Sequence, residues 1–207
     1  MILIPDGVAY IDCKVNQKTE WGGDDETTDV ILPEGLKEIC SYAFKKFSAL
    51  TSIEIPDSVT KIGTGAFSGC KALTSVTLPE SLTEINDNTF YQCESLESID
   101  IPASVESIGT EAFYECTALK EVTFHEGRLK TIADDAFYAL DALDSVVLPE
   151  GLEEIGRYNF QYDNRDTAID ITFPKSLYKV DPWVLRRENP WYDCFSDGDP
   201  IYIGAAS

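Results

Sequence analysis

A phenylalanine recurs at Phe44, Phe67, Phe90, Phe113, Phe137 and Phe160, with successive gaps of 23, 23, 23, 24 and 23 residues. Prolines keep the same step at Pro33, Pro56, Pro79 and Pro102, give way to His125, and resume at Pro149 and Pro174. A unit this short cannot bury its own apolar face, so the chain must stack its units into a solenoid with one continuous core. The 207 residues are therefore expected to form a single elongated domain of about eight coils spanning residues 1–207, with no linker dividing it.

The clearest copy of the unit runs from Leu73 to Cys93. Its Leu73-x-x-Val76-x-Leu78 segment alternates apolar and polar residues as a half-buried strand does, with Val76 and Leu78 inward and Ser75 and Thr77 outward. Pro79 then ends the strand, because it has no amide hydrogen to give. Leu82 and Ile85 turn back to the core, and a polar turn is expected to start a short helix carrying Thr89 and Phe90, or Ala66 and Phe67 one unit earlier. Stacking builds inward columns, among them Leu32, Ile55, Leu78, Ile101, Phe124, Leu148 and Phe173, and Ile39, Ile62, Ile85, Ile108, Ile132, Ile155 and Val180. The phenylalanines are read as packing at a fixed inward position.

The stretch from Ile53 to Cys70 contains Ile55-Pro56-Asp57-Ser58-Val59, Ile62-Gly63 and Ala66-Phe67-Ser68-Gly69-Cys70, and Ile99 to Cys116 repeats the form. This resembles the leucine-rich repeats of the BspA-like family over roughly residues 30 to 185. Departures are local: Phe47 and Leu140 stand for Cys, His125 for Pro with one residue inserted, and Leu185 for Phe. The resemblance implies an α/β repeat fold, a curved leucine-rich-repeat solenoid with parallel strands on the concave face and short helices on the convex face. Residues 1–29 are read as a degenerate first coil (residues 2 to 11) and an acidic loop around Trp21 to Thr28, 30–185 as the regular repeats, and 186–207 as a C-terminal cap. Pro182, Trp183, Asn189, Pro190, Trp191, Tyr192 and Phe195 supply the cap's bulk, before a last strand at Ile201-Tyr202-Ile203.

The formal charge is −21 and the pI near 4.2, which disfavours nucleic acid and points any steered partner toward a basic surface. Solubility alone is the plainer reading of that charge. The opening Met1-Ile2-Leu3-Ile4 meets Pro5 at once, too short a run for a signal peptide or a membrane span, so no membrane insertion is expected. Either the protein stays in the cytoplasm or its leader lies outside this sequence; the family resemblance implies a cell-surface or secreted location. Cys70, Cys93 and Cys116 share one position of the unit, where side chains on parallel coils point the same way, so they are read as buried free thiols; Cys13, Cys40 and Cys194 are scattered.

Catalysis finds little support. His125 is the one histidine, in a turn, with no nucleophile motif, phosphate loop or metal cluster beside it. Paired carboxylates on adjacent coils have the spacing of a retaining glycosidase, but an open strand face excludes water poorly. The run Asp193 to Asp199 lacks the spacing and final Glu of an EF-hand loop and reads as a polar turn. No cofactor and no metal site are expected. The candidate binding residues are the outward side chains of the strands: Ser52, Glu54, Ser75, Thr77, Ser98, Asp100, Glu121, Thr123, Ser145, Asp170 and Thr172. Beside them runs a row, Glu34, Asp57, Glu80, Ala103, Glu126, Glu150 and Lys175, acidic at five of seven places, which is either an anionic docking strip or a solvated rim. The expected function is non-catalytic recognition of a protein or glycan across these strands, as the resemblance to bacterial surface adhesins implies; the alternative is a structural spacer within a longer surface protein.

Overall fold

The computed structural model describes residues 1–11, 26–161, 169–181 and 201–202. Two walls of parallel strands, the first and second sheets, run along the stack, each paired in separate segments. The first is built by the odd strands β1 (Ile2–Leu3), β3 (Val30–Ile31), β5 (Ser52–Glu54), β7 (Ser75–Thr77), β9 (Ser98–Ile101), β11 (Glu121–Phe124), β13 (Ser145–Val147) and β15 (Asp170–Thr172). The even strands make the second: β2 (Tyr10–Ile11), β4 (Glu38–Ile39), β6 (Lys61–Ile62), β8 (Glu84–Ile85), β10 (Ser107–Ile108), β12 (Thr131–Ile132), β14 (Glu154–Ile155) and β16 (Lys179–Val180). Equivalent residues pair from coil to coil, as in Ile53↔Val76, Val122↔Ile99 and Ile108↔Ile132. The period of the sequence is thus the register of the sheets. A last strand, β17 (Ile201–Tyr202), pairs antiparallel with β16 and ends the second sheet.

The alternation read from the sequence sorts the side chains: in β5, β7 and β13 the outer residues are exposed and the middle one is buried. At the corner between the sheets, all six prolines of the ladder are buried. Phe44, Phe67, Phe90, Phe113 and Phe137 are fully buried, and Phe160 nearly so. Their rings stack face to face with centroids 5.1 to 5.5 Å apart and planes within 13°. Cys70, Cys93 and Cys116 are free and fully buried beside them, each thiol donating to the carbonyl of Phe44, Phe67 or Phe90 at 3.2 to 3.3 Å. Burial pushes the Cys116 thiol up to about 12 and the Cys93 thiol well above its ordinary range.

The third wall, which carries the phenylalanines, corrects the expectation of short helices: among the described residues there is none, and hence none long and apolar enough to cross a membrane. Alternate amides explain why. Ala66, Ser68 and Cys70 donate to the residue three back, while Gly65, Phe67 and Gly69 donate to Asp87, Thr89 and Tyr91 of the next coil. A helix keeps all its amides to itself and is about 10 Å across, so it cannot stack at a rise of about 5 Å per coil. Consecutive turns can. They require the left-handed conformation at every fourth residue, supplied by Gly65 and Gly69 in one coil but by Asn88 and Gln92, Glu111 and Glu115, and Asp135 and Ala139 in the next three.

This wall therefore rises per coil by nearly as much as the strands do. The acidic loop from Trp21 to Asp25, Cys13, Cys194, Leu185, the aromatic cap residues from Pro182 to Phe195 and the Asp193 to Asp199 run lie outside the described residues.

Candidate functional site: the face of the first sheet

Parallel pairing sets the outward side chains of the first sheet in two columns. Asp29, Ser52, Ser75, Ser98, Glu121, Ser145 and Asp170 form one. Leu3, Ile31, Glu54, Thr77, Asp100, Thr123, Val147 and Thr172 form the other. All eleven candidate residues are exposed, and they share this one face. Glu34, Asp57, Glu80, Glu126, Glu150 and Lys175 of the neighbouring row are exposed as well, with Ala103 half-buried.

On the other surfaces several carboxylates are paired with lysines, although among the described residues Glu84 and Glu111 are not. On the second sheet, Lys61 meets Glu38 at 2.7 Å and Lys179 meets Glu154 at 2.6 Å. The corner pair Lys130 and Glu153 lies at 2.6 Å, and Lys71 and Glu94 on the turn wall at 2.6 Å. The Glu38 hydrogen bond raises the Lys61 pKa and that of Glu94 raises Lys71, while the bond from Lys179 holds the Glu154 carboxyl below its usual range. Outward on the first sheet, among the described residues, His125 Nε2 meets Asp100 Oδ1 at 2.7 Å. Among the described residues Glu54, Glu121 and Asp170 have no cationic partner. His125, read from the sequence as an irregular turn residue, is thereby tied to the candidate face.

Two depressions lie in this face. One, of about 550 Å³, lies at the first coils over Ile31 and Glu54. The other, of about 770 Å³, lies over β11, β13 and β15. Among the described residues, no cluster of three or more His, Cys, Asp or Glu side chains is arranged to hold a metal ion.

The turn wall holds a feature the sequence reading passed over: Tyr91, Tyr114 and Tyr138, half-buried, stack with centroids 5.1 and 4.9 Å apart. Their spacing of 23 and 24 residues is the signal that gives them away. Burial, with Glu115 and Glu111 nearby, raises the Tyr91 pKa, and burial beside Glu111 and Asp134 raises that of Asp135. Because these rings cover one another's faces, they offer edges rather than a stacking platform. The first sheet remains the better candidate surface.

Comparison with known proteins agrees with this architecture. No curated protein matches the chain. A leucine-rich repeat protein of Bacteroides ovatus ATCC 8483 is 27% identical, with a TM-score of 0.65 over 86% of this chain and 47% of its own. A leucine rich cell surface protein of Faecalibacterium prausnitzii A2-165 is 26% identical, with a TM-score of 0.51 over 88% of this chain and 55% of its own. The pneumococcal vaccine antigen PcpA is 26% identical, with a TM-score of 0.50 over 74% of this chain and 47% of its own. The chain thus spans about half the length of these solved relatives. The family model for the BspA type leucine rich repeat region matches residues 37–166 and 83–189, with six copies. With the coil register, the buried phenylalanine ladder and the family match all coinciding, the chain belongs to the BspA-type leucine-rich repeat proteins.

Proposed function

We propose that this domain is a non-catalytic recognition module that binds a protein or glycan partner across the face of the first sheet. The observation that carries the reading is the contrast between surfaces. On the second sheet and the turn wall Glu38, Glu154 and Glu94 are each paired with a lysine of a neighbouring coil, although Glu84 and Glu111 are not, while the first sheet presents hydroxyls and the carboxylates of Glu54, Glu121 and Asp170, none of them with a cationic partner among the described residues. Such groups retain their capacity to bond outward, and the overall charge of −21 steers basic partners toward them. A location at the cell surface accords with the surface protein among its relatives. The continuous bonding of coil to coil also suits a second reading, a stiff spacer inside a longer surface protein.

The test compares two charge-reversal variants on an array of immobilised glycans and basic proteins. Glu54→Lys with Glu121→Lys alters the first sheet; Glu84→Lys with Glu111→Lys alters the other walls by the same charge. Binding by the intact domain should fall about tenfold or more in the first variant and change little in the second, with association slowing as salt rises. Equal losses would assign the charge to solubility, and an array on which nothing binds specifically would favour the spacer.

A further inference from the structure

We propose that the depression over β11, β13 and β15 is an anchor groove that receives one large apolar side chain from a basic peptide segment of the partner. The proposal rests on the reading of the first sheet as the recognition face. At the Phe124 end of the groove the repeat is broken. In the inward column of Leu32, Ile55, Leu78, Ile101 and Leu148 every residue is buried, and the proline that follows each of them is buried as a cover. Phe124 and Phe173 are the two larger members of the column, and both stay partly exposed. Phe124 is followed not by a proline but by His125, which is half-exposed and drawn sideways to Asp100. The corner that covers other coils is therefore open beside Phe124.

The two rings stand on coils separated by one, about 10 Å apart at the strand spacing. Between them Leu148 is buried and Val147 stands outward at 66% exposure. The resulting groove, of about 770 Å³, has an apolar floor, and the other exposed apolar side chains of the face, Leu3 and Ile31, lie at the first coils. Its edge is set by Glu121, Glu126 and Glu150. Among the described residues none of these three has a cationic partner, while the one cation at the edge, Lys120, is already paired with Glu97 at 3.5 Å. An apolar floor ringed by unneutralised carboxylates is complementary to an apolar side chain flanked by arginine or lysine. It repels an acidic segment, and it gives a purely polar one nothing to bury.

The experiment uses the full chain and two fluorescent probes at physiological salt: a short arginine-rich peptide with a central leucine, and the same peptide with serine in that place. Charge alone attracts both, so the ratio of their affinities reads the groove. Leucine should bind about tenfold tighter or better, the worth of burying one such side chain. Val147→Arg, an outward substitution that leaves the core untouched, should abolish that ratio without changing the melting temperature. Neutralising Glu121, Glu126 and Glu150 to Gln should weaken both probes more than the matched changes Glu34→Gln, Asp57→Asn and Glu80→Gln farther along the rim. Equal affinity for the two probes, or a leucine preference that survives Val147→Arg, overturns the groove while leaving the broader reading of the face intact. That reading falls separately, if reversing Glu54 and Glu121 weakens partner binding no more than reversing Glu84 and Glu111.

Discussion

Phe90 is held between Phe67 and Phe113, with centroid distances of 5.5 and 5.3 Å and nearly parallel planes. Truncating it removes contacts on both faces at once, so Phe90→Ala should cost about 3 to 5 kcal/mol. Thr77→Ala on the exposed strand face should stay within about 0.5 kcal/mol. Denaturant melts of the two variants check this, and equal shifts would contradict the inward and outward assignment. The thiols behind the ring ladder give a second expectation. Cys116 releases its proton near 9.0 when solvated but only near 12 in the fold. A raised native pKa means that the neutral form is the one stabilised. That contribution is complete below about pH 9 and is lost as the pH climbs toward 12. Cys116→Ala should flatten this alkaline decline. The native thiols should also resist a thiol reagent that modifies them readily after unfolding, and rapid labelling of the native protein would refute their burial. Asn159, by contrast, gave no warning in the sequence. It occupies the place of Ala136 in its coil, is fully buried, and its side-chain oxygen accepts the Phe137 amide at 3.0 Å, where the preceding coils use a backbone carbonyl.

At the scale of the element, the strands were legible and the turn wall was not. Alternation in Ser52–Glu54 or Ser75–Thr77 reports burial directly, because a strand's side chains have only two directions. The segment from Asn88 to Gln92 carries no comparable signal. Its conformation is fixed by amides given to the next coil, a partner that local propensity does not contain, and Glu111 or Gln92 in the left-handed region looks like any helical residue. The candidate face was legible as two columns, whereas its groove was not, since the exposure of Phe124 depends on where His125 leans. The left-handed positions make a specific prediction. A non-glycine residue there bears about 1 kcal/mol of strain, so Glu111→Gly should be neutral or slightly stabilising, although glycine usually costs stability elsewhere. Thermal melts test it, and a loss of more than about 1 kcal/mol would contradict the backbone geometry. Circular dichroism should lack the helical double minimum that the expected convex helices would have produced.

For the whole molecule, repetition makes stability a sum of similar interfaces between neighbouring coils. The negative field acts over the entire length, and the sheets and the ring stack hold the coils together against it. Raising salt from low to physiological strength should therefore raise the melting temperature while slowing the capture of a basic partner, two opposite responses to the same screening. A protein whose charge served binding alone would show only the second.

The hydrogen bonds that join coil to coil point along the long axis on all three walls. A pull applied to the two ends loads those bonds head-on, one layer at a time, rather than sharing the load across many layers as a shearing geometry would. Under tension the domain should therefore yield in a staircase of small, similar force peaks. Each peak should release one repeat of 23 residues, about 80 Å of slack at full extension. Tethered to a surface, such a chain would act as a shock absorber that gives way coil by coil.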